Sequence, residues 1–197
     1  DRCAVRSMSG SGEAASGDSG TGESCFRSSY AVRSTCSSSW TDAAHAYHNS
    51  YAPSSSSWTC DSLLGAPSRA DVCGDEPGAW APALNGTLAE WVRLEFFDAP
   101  VYAQKLEVWE VNAAPFITRV VWEAEDGAMR LGWEGDDATA CPGVFVLDDD
   151  TRARSPPFRV AAVWVHTSAP GWEEIDAARL TAEASCVPSP PAPPTSP

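Results

Sequence analysis

Basic residues are scarce in this chain of 197 residues, and lysine occurs once, at Lys105. Thirteen basic residues against 27 acidic residues give a formal net charge of -14. Such a charge repels phosphate backbones and anionic lipid surfaces, so we expect no nucleic-acid partner. Apolar runs near the roughly 20 residues that span a bilayer are also lacking. We therefore expect no membrane insertion. A hydrophobic signal segment is also lacking near Asp1, and because the sequence begins there without a Met, we expect a mature or excised piece.

Paired C-x-x-C motifs are absent, although the chain has seven cysteines. Cysteines spaced in this way are typical of an oxidising compartment, so the sequence predicts an extracellular, disulfide-bonded protein with one cysteine left over. Roughly a hundred pairings of six among the seven are possible, and the connectivity stays open. The cysteines are Cys3, Cys25, Cys36, Cys60, Cys73, Cys141 and Cys186.

The composition divides the chain into three parts. Residues 1–57 are rich in Ser and Gly and have almost no apolar period, which predicts an irregular, Cys-bearing segment tied down by disulfides. Residues 58–186 alternate apolar and polar residues in short runs, which predicts a β-sandwich. The sequon at Asn85 lies in a turn of this part and is a predicted N-glycosylation site. Residues 187–197 are proline-rich and predict a polyproline II tail that acts as a stalk.

Short alternating runs predict the strands of the middle part. In 91–97, Val92 and Leu94 share one face while Arg93 and Glu95 share the other, as in a half-buried strand. Further strands are predicted at 101–111, 116–123, 129–134, 143–147, 158–166 and 175–181. A helical period is absent, so the predicted fold class is all-β, an antiparallel β-sandwich or jelly roll.

Several short motifs in this middle part occur in a fixed order. They include Leu64-Gly65-Ala66-Pro67, Ala79-Trp80-Ala81-Pro82, Glu90-Trp91-Val92-Arg93-Leu94-Glu95-Phe96, Trp133-Glu134-Gly135 and Gly171-Trp172-Glu173-Glu174-Ile175-Asp176-Ala177. The ordered set resembles the discoidin-like, galactose-binding-like β-sandwich domains of extracellular proteins. The tail is similar to the hydroxyproline-rich stalks of green-algal cell-wall and flagellar-surface glycoproteins. The resemblance implies a glycoprotein at a cell surface, cell wall or flagellar surface.

Acidic residues near both ends of the predicted sandwich suggest a cofactor. Jelly-roll topology can set the first and last strands side by side, which would bring Asp75 close to Glu174 and Asp176. Carboxylates and loop carbonyls are the oxygen ligands that calcium prefers. We therefore predict a structural calcium site at these three residues. The alternative is that the acids solvate turns or cap local backbone N–H groups.

Trp80 and Trp172 lie in predicted loops rather than strands. An indole ring in a loop can present its face to a sugar or a partner protein, so both are candidate glycan-binding or partner-binding residues. The alternative is that the two rings close the ends of the sandwich.

Motifs for catalysis are lacking. A Gly-x-Ser-x-Gly elbow on an α/β framework is absent, and the paired acids lack a readable cleft for glycoside hydrolysis. The sequence predicts a non-catalytic adhesion or assembly module that binds glycans or other surface glycoproteins. The alternatives are a structural block that assembles with copies of itself, and an accessory domain that directs a larger enzyme to carbohydrate.

Overall fold

The structure is a computed structural model, and it describes residues 4–5, 25–37, 58–82, 90–148, 155–168 and 171–184. Strands β1 to β5 are Ala4–Val5, Cys25–Tyr30, Arg33–Cys36, Glu90–Glu95 and Val101–Asn112. Strands β6 to β10 are Ile117–Ala124, Met129–Glu134, Gly143–Asp148, Arg159–Thr167 and Glu174–Ala184. A short 3-10 helix spans Cys60–Leu63. Among these residues, no helix has the length and apolarity to cross a membrane.

The strands form two antiparallel layers. The first layer has the order β1-β2-β10-β5-β8. The second has the order β3-β4-β9-β6-β7. Strand β5 joins the layers, because Val101 and Tyr102 pair with β9 while the rest of the strand pairs with β10 and β8. The predicted all-β antiparallel sandwich is confirmed.

Alternation along each strand decides which side chains enter the core. In β4, Val92 and Leu94 are fully buried while Arg93 and Glu95 face outward, as the sequence predicts. Inward side chains of both layers make one hydrophobic cluster. The rings of Trp133 and Phe145 join the layers at one edge, with centroids 5.0 Å apart. Removing this apolar surface from water stabilises the sandwich.

Residues 25–36 differ from the sequence prediction of an irregular segment. Strand β2 pairs with β10 and strand β3 pairs with β4, so each adds an edge strand to one layer. The strands were not apparent in the sequence because they contain mainly Ser, Thr and Arg, and most of their side chains lie at the surface. Their backbone hydrogen bonds and pairing partners place them, rather than an apolar alternation.

Two disulfides connect loops and strands. Cys36 at the end of β3 bonds to Cys60, and Cys73 bonds to Cys141. Cys25 is also disulfide-bonded. These bonds close loops in the unfolded chain and so reduce its entropy, and Cys36–Cys60 ties down the N-terminal segment as the sequence predicts.

Several predicted features lie outside the described residues. They are Cys3, Cys186, the glycosylation site at Asn85 and the proline-rich segment 187–197. Each of them stays a prediction.

Candidate ligand-binding face

Aromatic and charged side chains face outward from the middle strands of the second layer. The pairing register sets Trp91 of β4 opposite His166 of β9. It sets Arg93 opposite Trp164 on the same two strands. On the far side of β9, Arg119 of β6 lies opposite His166. We call the outward surface made by these five residues the tryptophan face.

The two indole rings of this face touch. Their centroids are 4.5 Å apart and their planes are tilted by 46°. Both rings are half-buried, so part of each remains accessible. The Nε1–H of Trp164 donates a hydrogen bond of 2.8 Å to Glu123 Oε2. Because its polar atom is fixed, Trp164 holds one orientation, and little side-chain entropy is lost when a ligand covers the ring.

Arg93 anchors the polar side of the tryptophan face. Its guanidinium donates to both oxygens of Glu123 at 2.8 and 2.9 Å, and a third bond goes to Glu95. These bonds lower the pKa of both carboxyls and raise the pKa of Arg93. The bidentate geometry is the strongest form of this ion pair. The network therefore keeps Arg93 and the two glutamates charged and in place at neutral pH.

Arg119 and His166 form the other end of the face. Arg119 is exposed, and its guanidinium makes no hydrogen bond or ion pair with any residue that the structure describes. Burial lowers the pKa of His166, and the positive charge of Arg119 lowers it further. The imidazole is therefore neutral at pH 7 and can donate one N–H or accept one hydrogen bond.

Trp80 does not lie at the surface, contrary to the prediction of a glycan or partner contact. Its side chain is 0% exposed and belongs to the hydrophobic core. Its backbone pairs in both directions with Ile175, at 2.8 and 3.0 Å. The ring therefore packs inside the sandwich and is not available to a ligand. Trp172 is half-buried, and its binding role stays a prediction.

Two of the three predicted calcium ligands, Asp75 and Glu174, are neighbours at the start of β10. Glu174 accepts hydrogen bonds from the Glu76 N–H at 2.8 Å and from the Asn112 side chain at 3.0 Å. Burial raises the pKa of Glu174 to about 8, and the neighbouring carboxyl of Asp75 adds to the rise. The structure thus brings Asp75 next to Glu174, while β10 itself pairs with β2 and β5.

Asp176 holds the adjoining loop in the same way. It accepts bonds from the backbone N–H groups of Ser68 and Arg69, both at 2.8 Å, and from the Ser68 hydroxyl at 3.1 Å. Both oxygens of Asp176, like both oxygens of Glu174, already act as acceptors. No group of three or more His, Cys, Asp or Glu side chains in the described ranges is placed to hold a metal ion. The acids therefore anchor the loop, and the calcium site stays a prediction.

Sequence reasoning missed the tryptophan face and a buried acid, Glu110. The signal for the face was present, because Trp91 has the same parity in β4 as the outward Arg93. The signal for Glu110 was its place in the series Leu106, Val108, Glu110, which alternates into the core. Its side chain is 0% exposed.

Comparison with known proteins assigns the family. The model of the family described as Pappalysin-1, SD scarf domain, C-terminal, matches residues 38–189. The chain belongs to this family. The match covers most of the sandwich of the scarf domain, including the tryptophan face. No curated protein matches this scarf domain.

Solved structures resemble the scarf domain in fold. A chain in the crystal structure of reduced XRCC1 bound to the DNA pol beta catalytic domain is 14% identical, with a TM-score of 0.51. The alignment covers 79% of this chain and 96% of that chain. Chitosan-binding module 1 of a chitosanase/glucanase from Paenibacillus sp. IK-5 is 12% identical over 75% of this chain and 92% of the module, with a TM-score of 0.47. The XRCC1 similarity supports the sandwich fold alone.

Proposed function

We propose that this scarf domain is a non-catalytic extracellular binding module whose tryptophan face binds glycans, free or carried by surface glycoproteins. One observation carries the proposal: Trp91 and Trp164 present partly exposed rings with centroids 4.5 Å apart on the outer face of the sheet. Sugar rings have apolar C–H faces that pack on indole, while their hydroxyls hydrogen-bond to neighbouring polar groups. Arg93 and Glu123 supply such groups beside Trp164.

Disulfides support an extracellular location. The chain has disulfide bonds between Cys36 and Cys60 and between Cys73 and Cys141. Disulfides persist in secreted proteins, whereas cytosolic reductants keep most thiols reduced. Within the proposal, the module acts in adhesion or assembly at a cell surface, cell wall or flagellar surface, and the proline-rich segment serves as its hydroxyproline-rich stalk.

A structural block that packs against copies of itself is the second candidate. Strand β7 pairs only with β6 among the described strands, and it exposes Met129 and Leu131 by 50% and 56%. An open edge with apolar side chains favours strand-to-strand association. This candidate needs no free ligand.

A glycan array probed with the purified chain tests the proposal. We expect selective binding that falls on the order of 10-fold or more in Trp164→Ala, because aromatic side chains at the centre of a contact dominate its affinity. Tyr30→Ala is the matched control. This half-buried ring contacts Trp109 on the outer surface of the opposite layer, with centroids 5.9 Å apart. Equal losses in both variants, or an array without selective signal, would refute glycan binding at this face.

A further inference from the structure

We infer that the ligand of the tryptophan face is an acidic saccharide, whose carboxylate or sulfate group is bound by Arg119 and His166. The inference rests on the proposed function, because it adds a charge requirement to the same face. Trp91, His166 and Arg119 occupy one row across three neighbouring strands. Adjacent strands are about 4.8 Å apart, so this row spans about 10 Å. An extended sugar chain can contact both ends of such a row.

Arg119 is the uncompensated cation of this surface. Arg93 is paired with Glu95 and Glu123, and Arg33 is paired with Glu95. Arg119 has no carboxylate within ion-pair distance among the residues that the structure describes. Its register neighbour on β7 is the exposed Glu134, yet the two side chains do not form an ion pair. The face therefore offers one guanidinium with all of its donors available.

The charge of the whole chain makes this position unusual. A net charge of -14 means that most of the surface repels anions. Repulsion of this kind is screened beyond about 8 Å at physiological salt, whereas a direct contact with a guanidinium is not. A guanidinium binds the planar carboxylate or the sulfate group with two parallel hydrogen bonds. The adjacent His166 can donate a further hydrogen bond, and a bound anion would favour its protonation.

A neutral sugar would use this surface less completely. It would cover the rings of Trp91 and Trp164 but leave the charge of Arg119 partly desolvated without a counter-charge, which costs binding free energy. Phosphate backbones carry a charge along their whole length and meet the acidic remainder of the molecule. An isolated acidic group on an otherwise uncharged sugar ring matches one free arginine beside two indoles.

Binding of immobilised polysaccharides by the full chain tests the inference at about 0.15 M salt. The probes are dextrans that carry sparse carboxylate groups or sparse sulfate groups, uncharged dextran and galactan as neutral sugars, and a peptide with an equally low density of glutamates. We expect at least one acidic polysaccharide to bind more tightly than both neutral ones. We expect Arg119→Gln to weaken that binding by about tenfold, the loss of one charge-assisted contact, without affecting neutral sugars.

Arg69→Gln is the charge-matched control, because the Arg69 side chain is 53% exposed and lies in the loop anchored by Asp176. Equal loss in the two arginine variants would overturn the inference, since it would mean that only overall charge matters. If neutral sugars bound as tightly as acidic ones, the inference would also be overturned. The proposed function would remain intact if Trp164→Ala weakened that binding. Binding of the glutamate-containing peptide as tight as that of the polysaccharides would exclude a saccharide-specific site. Failure of every polysaccharide would refute both proposals.

Discussion

Glu110 lies inside the sandwich, where a carboxylate is costly. One of its oxygens accepts a bond of 3.3 Å from the Phe116 N–H, and the other, Oε2, forms no hydrogen bond with any group in the described part of the chain. Burial raises the pKa of Glu110 to about 8, and the nearby Asp137 contributes to the rise. At neutral pH the side chain is therefore mostly protonated. A protonated carboxyl avoids the desolvation penalty of a buried charge.

This raised pKa predicts how stability depends on pH. Between its usual pKa of 4.5 and about 8, the folded chain holds a proton on Glu110 that the unfolded chain has released. The contribution of Glu110 is therefore greatest below pH 4.5 and is lost as pH rises through about 8. Glu110→Gln removes this loss. We therefore expect the free energy of unfolding of the variant to exceed that of the parent by on the order of 1–3 kcal/mol between pH 6 and 9. Denaturant unfolding across that range measures the gain.

Glu134→Gln, a substitution of an exposed glutamate, is the control for these measurements. It should leave the slope of the unfolding free energy against pH unchanged. Burial also raises the pKa of Glu174, which gives the same sign, so Glu110→Gln should reduce the slope without abolishing it. An unchanged slope in Glu110→Gln would show that Glu110 is ionised in the folded chain.

Individual side-chain positions were partly predictable from the sequence. Alternation placed Arg93 outward and Val92 inward. The sequence around Trp80 has no alternating run, so nothing in it predicts that the ring is buried, whereas the parity of Trp91 with Arg93 indicates an outward position. Hydrogen-bond partners such as the Glu76 N–H, which donates to Glu174, come from loops, and the conformation of a loop has no periodic signal in the sequence.

At the scale of elements, strand β7 packs very closely on its neighbour. A Cβ atom added at Gly132 would lie 2.4 Å from Nε1 of Trp122, a core ring on β6. The indole fills the space that any larger residue at position 132 would need. This contact explains a glycine in the middle of a strand, where glycine is otherwise unfavourable.

Gly132→Ala should therefore displace Trp122 and lower the free energy of unfolding by about 1–3 kcal/mol. The near-ultraviolet circular dichroism of the tryptophans should change with it. Gly78→Ala is the matched control, because its added Cβ would meet only the Ser68 hydroxyl at 3.5 Å, an ordinary contact. Equal stability in the two variants would contradict the close packing of β7 on Trp122.

The central strands of the layers were easier to predict from the sequence than the edge strands. The predicted segment 101–111 corresponds to β5, Val101–Asn112, because Leu106 and Val108 alternate with polar residues in the sequence, although the structure buries residues 106–111 on both faces of the strand. Strands β2 and β3 bury little and were predicted as irregular. Their positions depend on β10 and β4, which are distant in sequence, and no local pattern encodes such pairings.

At the scale of the whole molecule, the acidic surplus affects how the predicted calcium site must be tested. A charge of -14 attracts divalent cations over the entire surface, and this diffuse attraction weakens with salt. A defined site would instead saturate at one ion per chain and raise the melting temperature.

We expect calorimetric titration at high salt to give one saturable calcium site that Glu174→Gln removes, and a chelator to lower the melting temperature. Because Glu174 holds a proton when no ion is bound, calcium must displace it, so the apparent affinity should increase from pH 6 to 8. Asp71→Asn, on an exposed loop acid, serves as the control. Absence of heat and of any change in melting temperature would leave loop anchoring as the sole role of Glu174 and Asp176.

The pairing of β2 with β10 has a mechanical consequence. Cys25 and Ala184 are register partners, so β2 begins and β10 ends at the same corner of this layer. Tension applied through the flanking segments would peel the two strands apart one rung at a time, beginning at that corner, rather than slide them past each other. The resistance of the module to pulling would then depend on single hydrogen bonds in succession, with the Cys36–Cys60 bond limiting how far the N-terminal strands can unravel.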